Sequence, residues 1–146
     1  MRRVRKFLSL PSAERSLIIQ AAFLLYGARV GLWLLPFSVL RAWVDRVKMR
    51  TLSANSKPHS PSQIAWAVET TSRYLPLTRR CFPKALAVQV LLARSGYSSR
   101  IQIGVTRDKT KGFLSHAWVE IQGQVLIGEG EGAVFAPILS LGSTHR

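Results

Sequence analysis

The side chains most able to do covalent chemistry in this 146-residue chain are one cysteine and three histidines. Cys81 opens the stretch "CFPKALAVQVLLARSG", which predicts a helix that ends at Gly96. Pro83 suits a first helical turn, so we expect Cys81 at or beside the helix N-terminus. Unsatisfied backbone N–H groups and the helix dipole stabilise a thiolate there, and Arg79 and Arg80 add positive charge. We therefore predict that Cys81 is a nucleophile, although a lone cysteine more often serves only as a small buried residue.

A cysteine nucleophile needs a base, and His116 is the histidine best placed to supply one. His59 falls in a polar stretch and His145 in the C-terminal tail, where we expect both to be exposed. His116 instead lies in "FLSHAWVEI", whose alternation predicts a strand with His116, Trp118 and Glu120 on one face. The alternative is a half-buried histidine that packs beside Trp118 and has no catalytic role.

Strand register locates an acid that could orient the imidazole. If residues 122–123 form a two-residue hairpin loop, His116 faces Glu129 directly across the ladder. Opposed Cβ atoms lie about 4.5–5.5 Å apart, which lets a carboxylate reach an imidazole. Glu120 is too far along the strand, because four residues span roughly 13 Å. We therefore predict that Cys81, His116 and Glu129 form a triad. A hairpin loop longer by one residue would put another position in the place of Glu129.

A second helix is predicted just before the one that Cys81 opens. Ser60 is the expected N-cap, Pro61 the first helical residue, and Pro76 the stop signal. We predict one buried face on this helix, formed by Ile64, Trp66, Val68 and Tyr74. The helix after Cys81 is apolar almost all round, so we expect it to be central in the core.

After Gly96 the periodicity changes from helical to alternating. Strands are predicted in "SRIQIGVTR", "FLSHAWVEI" and "QVLIGE". A short edge strand is predicted in "AVFAPILSL", because Pro137 belongs at a sheet edge. Helices followed by antiparallel strands predict an α+β fold, with a central helix packed on a small antiparallel sheet.

The most apolar stretch is "SLIIQAAFLLYGARVGLWLLPFSVL", residues 16–40. Arg29 argues against a membrane span, because a charge at the bilayer centre costs about 2.5–3.5 kcal/mol on insertion scales. We predict two helices instead, over about 12–35 with Ser12 as N-cap and over about 36–47. Their apolar faces could pack together, dock a partner or rest on a membrane surface.

A polar break with two prolines, "RTLSANSKPHSPSQ", separates this helical part from the rest. We predict an N-terminal helical docking segment over residues 1–50, a linker over 51–60 and a core over 61–146.

Composition narrows the function classes. The chain carries 21 basic and 7 acidic residues, a net charge of +14, which predicts an anionic partner such as nucleic acid, lipid, an acidic peptide or an acidic protein. The basic blocks do not combine with a recognisable nucleic-acid-binding motif, so we expect no specific nucleic-acid partner. One cysteine rules out an intramolecular disulfide and fits a reducing cytoplasm, and 47% apolar residues rule out a disordered tail.

Two stretches together resemble a known family. A cysteine heading a helix, followed by a histidine and an acid on adjacent antiparallel strands, is the transglutaminase-like or papain-like arrangement. "CFPKALAVQVLLARSGYSSRIQIGVTR" followed by "FLSHAWVEIQGQVLIGE" resembles the transglutaminase-like leader peptidases of lasso peptide biosynthesis. The N-terminal "FLSLPSAERSLIIQAAFLLYGARVGLWLLPF" is similar to the helical start of that family.

The resemblance implies a transglutaminase-like cysteine protease with Cys81 as nucleophile and His116 as base, and with no metal or cofactor. The family's third member is typically an Asp about a dozen residues after the histidine, where this chain has Gly128 and Glu129. The resemblance also implies the split form, in which a separate small protein recognises the leader of the precursor peptide and a lasso cyclase receives the core peptide. The expected location is the cytoplasm, with peripheral contact to the inner face of the membrane left open.

Two other functions remain compatible with these residues. An acyl-transfer enzyme would use the same cysteine and histidine with an amine in place of water. A non-catalytic basic module would bind nucleic acid or a membrane surface, with Cys81 merely packed.

Overall fold

A computed structural model describes residues 5, 8–36, 38–39, 41–43, 45–46, 59–75, 81–128 and 136–142. Its long helices are α1 (Ser12–Leu34), α2 (Pro61–Tyr74) and α3 (Cys81–Arg94). They are followed by strands β1 (Arg100–Asp108), β2 (Gly112–Ile121), β3 (Gln124–Ile127) and β4 (Ala136–Gly142). The strands form one antiparallel sheet in the order β3-β2-β1-β4. The predicted α+β fold, with helices packed on a small antiparallel sheet, is confirmed.

Helix α1 packs against both α2 and α3. Its buried face combines leucines with small residues, which let the helices approach closely: Leu17, Ala21, Leu25, Ala28 and Gly31. Pro11 occupies the N-cap position and no side chain caps the helix, so the prediction of Ser12 as N-cap was wrong by one residue. Where a second N-terminal helix was predicted, the described residues 38–39, 41–43 and 45–46 are helical.

Helix α2 starts with the predicted cap. The Ser60 side chain accepts a hydrogen bond from the Gln63 backbone N–H, and the Gln63 side chain accepts one from the Ser60 N–H. This reciprocal pair satisfies two of the amides that a helix start leaves unpaired. Pro61 follows at the first helical position, as expected.

The buried face of α2 was predicted only in part. Trp66 is 43% exposed and Tyr74 is 58% exposed, so their predicted burial was wrong. The buried positions repeat at intervals of three and four residues: Ile64, Ala67, Val68, Thr71 and Ser72. Position 66 falls on the opposite side of the helix from this stripe, because a helix turns by 100° per residue. Position 74 continues the spacing, three residues after Thr71, but it is the last residue of the helix.

Helix α3 is the centre of the core. Every residue from Ala85 to Leu92 is buried, and the helix contacts α1, α2, β1 and β2. Gly96 ends the turn that follows α3 with φ of 82°, and the Tyr97 N–H donates to the Leu92 carbonyl at 2.9 Å. This left-handed glycine and its backbone hydrogen bond form the predicted C-terminal stop.

The sheet presents Ile101, Ala117 and Val119 as buried residues. Strand β4 lies at the sheet edge and contains Pro137, as predicted. Its pairing with β1 shifts register beside Gly104, opposite the proline. The proline therefore lies where the ladder is already irregular.

Strands β2 and β3 are joined by the predicted two-residue loop at 122–123, where both residues have positive φ. Ile121 pairs with Gln124, but Val119 pairs with Ile127, so the register shifts by one residue after two pairs. The constant register that we predicted from Ile121 back to His116 was therefore wrong. An extra residue in β3 forms a bulge that strand alternation does not reveal.

Candidate active site

Cys81 and His116 line the same cavity, which has a volume of about 120 Å³. Its wall comes from α2, α3, β2, β3 and the residue that follows β3: Glu69, Cys81, Lys84, Ala85, His116, Ala117, Ile127 and Gly128. The cavity lies where the first turn of α3 meets β2 and the β2–β3 hairpin. A thiol and an imidazole on one small cavity are the two groups that nucleophilic cysteine chemistry requires.

Cys81 is the first residue of α3, and its free thiol is partly exposed. This position places the thiol beside the backbone N–H groups that have no partner inside the helix. The expected position of Cys81 at a helix start is therefore observed. Arg79 and Arg80, which we expected to add positive charge, lie outside the described residues.

The half-buried ring of His116 is held by the hairpin. Its Nε2 hydrogen-bonds to the backbone carbonyl oxygen of Gly128. A carbonyl only accepts hydrogen bonds, so Nε2 carries the proton and donates it. In the neutral ring this leaves Nδ1 without a proton and able to take one from a thiol. The ring also stacks on Trp118, with centroids 6.5 Å apart and planes inclined by 20°.

Gly128 is constrained to be a glycine on two counts. Its φ is 89°, a conformation that residues with a Cβ rarely adopt. A Cβ built there would lie 2.7 Å from the carbonyl oxygen of Ala117 and 3.0 Å from the Cα of Trp118. The backbone of Gly128 thus passes directly over β2, which is what brings its carbonyl to the ring of His116.

Glu129, the predicted third member of the triad, lies outside the described residues. The other acid on this part of the sheet, Glu120, has different partners. Its carboxylate accepts from the indole N–H of Trp118 at 2.8 Å and from Gln102 at 3.4 Å. The structure thus agrees with the expectation that Glu120 does not orient His116.

An ion pair that we did not predict crosses the cavity wall between α2 and α3. The Nζ of Lys84 lies 2.9 Å from Oε2 of Glu69. The hydroxyl of Ser72 donates to the Glu69 backbone carbonyl at 2.9 Å and lies 3.5 Å from the same carboxylate. The lysine side chain is 21% exposed and the glutamate side chain 40% exposed, so solvent screens the pair and its net contribution to folding is small. The ion pair places two charged side chains at the cavity wall, one helical turn from Cys81.

Part of this cavity wall could have been predicted from the sequence. Lys84 follows Cys81 by three residues, which places the two side chains on one helix face. A glycine directly after an alternating strand, as at Gly128, indicates a close backbone approach. Glu69 gives no such signal, because its place depends on how α2 packs on α3.

Comparison with known proteins gives a family. The profile of the family described as "Transglutaminase-like superfamily" matches residues 22–140. No curated protein and no solved structure matches significantly. The family match spans most of α1, the helix that begins at Cys81, and the sheet that carries His116. The chain belongs to the transglutaminase-like superfamily.

Proposed function

We propose that this chain is a cysteine endopeptidase that removes the leader peptide from a ribosomally made lasso peptide precursor. The observation that carries the peptidase activity is the shared cavity of Cys81 and His116, with the imidazole oriented through Nε2. The choice of precursor rests on the resemblance of the cysteine and "HAWVE" segments to lasso leader peptidases. Membership of the superfamily supports cysteine-based chemistry, which there includes both proteolysis and acyl transfer.

The first half of the proposed reaction forms a covalent intermediate. The Sγ of Cys81 transfers its proton to Nδ1 of His116 and attacks the carbonyl carbon of the scissile bond. The tetrahedral intermediate collapses, and the imidazolium gives its proton to the leaving amine. The C-terminal peptide leaves, and the N-terminal part remains as a thioester on Cys81.

Water completes the second half. His116 takes a proton from the water, which attacks the thioester carbonyl, and the thiol is restored as the second peptide leaves as a carboxylic acid. The negative charge of each tetrahedral intermediate needs donors already in place. The backbone N–H of Cys81, at the start of α3, is the donor that we assign to this role.

The partners in this proposal are the precursor peptide, a separate small leader-recognition protein and a lasso cyclase. The net charge of +14 supports attraction to acidic segments of such partners. The cyclase would receive the core peptide whose new N-terminal amine the cleavage releases.

The deciding experiment incubates the full-length chain with a precursor peptide and a leader-recognition protein encoded next to it. We expect mass spectrometry to show two fragments whose summed mass exceeds the precursor by one water. A fragment whose mass instead shows that an added amine has been joined to it would establish acyl transfer. An intact precursor, with the chain folded by circular dichroism, would contradict both activities.

We also retain Glu129 as a proposed electrostatic partner of the imidazolium, because it directly follows Gly128, whose carbonyl is bonded to Nε2 of His116. With both ring nitrogens otherwise engaged, its carboxylate would act through its charge. Glu129→Ala is expected to reduce kcat by about tenfold to a hundredfold, because a carboxylate near His116 stabilises its charged form. Glu120→Ala is the matched control, since that carboxylate is bonded to Trp118 and Gln102. Equal losses of kcat in the two variants would contradict a specific role for Glu129.

A further inference from the structure

The outer face of α1 is an exposed apolar surface. We define the α1 outer stripe as the exposed residues Ile19, Phe23, Tyr26, Val30, Trp33 and Leu34. Phe23 is 75% exposed and Trp33 is 84% exposed, so neither contributes to the core. The stripe residues lie within an arc of roughly 100° on the helix and extend over about 22 Å.

The opposite face of α1 is buried against the rest of the protein. Leu17 and Leu25 are 2% and 0% exposed, and the helix contacts α2 and α3. By length and composition α1 is apolar enough to cross a membrane. A helix that forms part of the core cannot be surrounded by lipid while the fold is intact, so it can offer only its outer face.

Charge around the stripe selects the kind of surface that would cover it. No acidic residue occurs between Glu14 and Asp45 in the sequence. At 100° per residue, Arg15 falls in line with the stripe and Arg29 falls along its edge. Arg41 is exposed in the segment that follows. The apolar stripe is thus accompanied by cations alone over a run of about thirty residues.

From this arrangement we propose that α1 lies on an anionic lipid bilayer, with its stripe inserted at the boundary of headgroups and acyl chains and its arginines against the lipid phosphates. An exposed apolar helix face with Trp and Phe, flanked by arginines, has the properties of an interfacial helix. The indole N–H of Trp33 and the hydroxyl of Tyr26 remain hydrated at the depth of the headgroups. This membrane contact is independent of the peptidase activity proposed above.

The test is flotation of the full chain with vesicles, without any peptide substrate. We expect the chain to float with phosphatidylcholine vesicles that contain about 30% phosphatidylglycerol and to bind pure phosphatidylcholine more weakly. Raising the salt from about 0.1 M to about 0.5 M should weaken the binding, because it screens the arginines. Failure to float with the anionic vesicles at low salt would overturn the proposal.

The same Phe→Ser change inside and outside the stripe tests whether vesicle binding depends on the stripe or on any exposed apolar residue. Phe23→Ser is expected to weaken binding to the anionic vesicles by about tenfold, since it removes one aromatic ring that the bilayer would bury. Phe113→Ser is the matched control, because Phe113 on β2 is 77% exposed and lies outside the stripe. Arg29→Gln should weaken the same binding by about fivefold.

Equal effects of Phe23→Ser and Phe113→Ser would overturn the assignment of the stripe. So would unchanged vesicle binding by Phe23→Ser together with loss of binding to a partner protein, which would make the stripe a protein interface. Thermal melting by circular dichroism checks that each variant is folded. Trp33→Ser repeats the comparison at the most exposed ring of the stripe.

Discussion

Replacing Cys81 with alanine is expected to abolish precursor cleavage, with a fall in kcat of at least about a thousandfold, because no second thiol exists in the chain. Cys81→Ser should be similarly inactive, since a serine hydroxyl is a far weaker nucleophile without the activation that a serine enzyme supplies. The side chain is partly exposed, so neither change leaves a large cavity and we expect the melting temperature to stay within a few degrees of the parent.

A single-turnover assay followed by mass spectrometry measures this effect. Iodoacetamide provides an independent control, because alkylation has only one cysteine to modify and should remove the same activity from the parent chain. Cleavage that persists in the folded Cys81→Ala variant would exclude the thiol as the nucleophile.

Gly128→Ala should produce the second largest loss. The added Cβ would meet the Ala117 carbonyl oxygen at 2.7 Å, so the backbone must move and take its own carbonyl away from His116. Without this acceptor the imidazole loses the contact that fixes its tautomer, and we expect kcat to fall by about a hundredfold. The strained φ should also cost about 1–3 kcal/mol of stability.

Gly123→Ala separates the lost contact from backbone strain. Gly123 has a φ of 80°, close to that of Gly128, but a Cβ at this position meets nothing within 4 Å. Its variant should lose stability and keep most of its kcat at a temperature where both proteins are folded. If the two variants lost kcat equally, the Gly128 carbonyl would not be the group that positions His116.

Features encoded by local sequence were predictable, as the start of α2 and the end of α3 show. Ser60 and Gly96 act through hydrogen bonds to residues within five positions, so their residue types alone indicate the cap and the stop. Trp66 was predicted to lie on one buried face with Ile64 and Val68. At 100° per residue it falls on the other side of α2 from Ile64, so its exposure follows from the helical period, which the prediction did not apply.

The residues of the candidate site were likewise predictable only in part. Cys81 and His116 could be picked out because thiol and imidazole are chemically distinctive, and the structure places both on one cavity. The acceptor on His116 was missed because every residue has a carbonyl, and only the path of the backbone decides which one reaches the ring. The bulge beside Val119 sets that path, and strand alternation predicts no bulge.

The two edge strands of the sheet have a consequence for how the chain can aggregate. β3 has only four residues, and β4 carries Pro137, which lacks the amide hydrogen that a neighbouring strand would need. Short strands and edge prolines prevent sheets of different molecules from joining into continuous fibrils. Aggregation of the purified chain is therefore expected to proceed through α1. The aggregates should dissolve in mild detergent and give no thioflavin fluorescence. A fluorescent, detergent-resistant precipitate would show that the sheet edges are not protected.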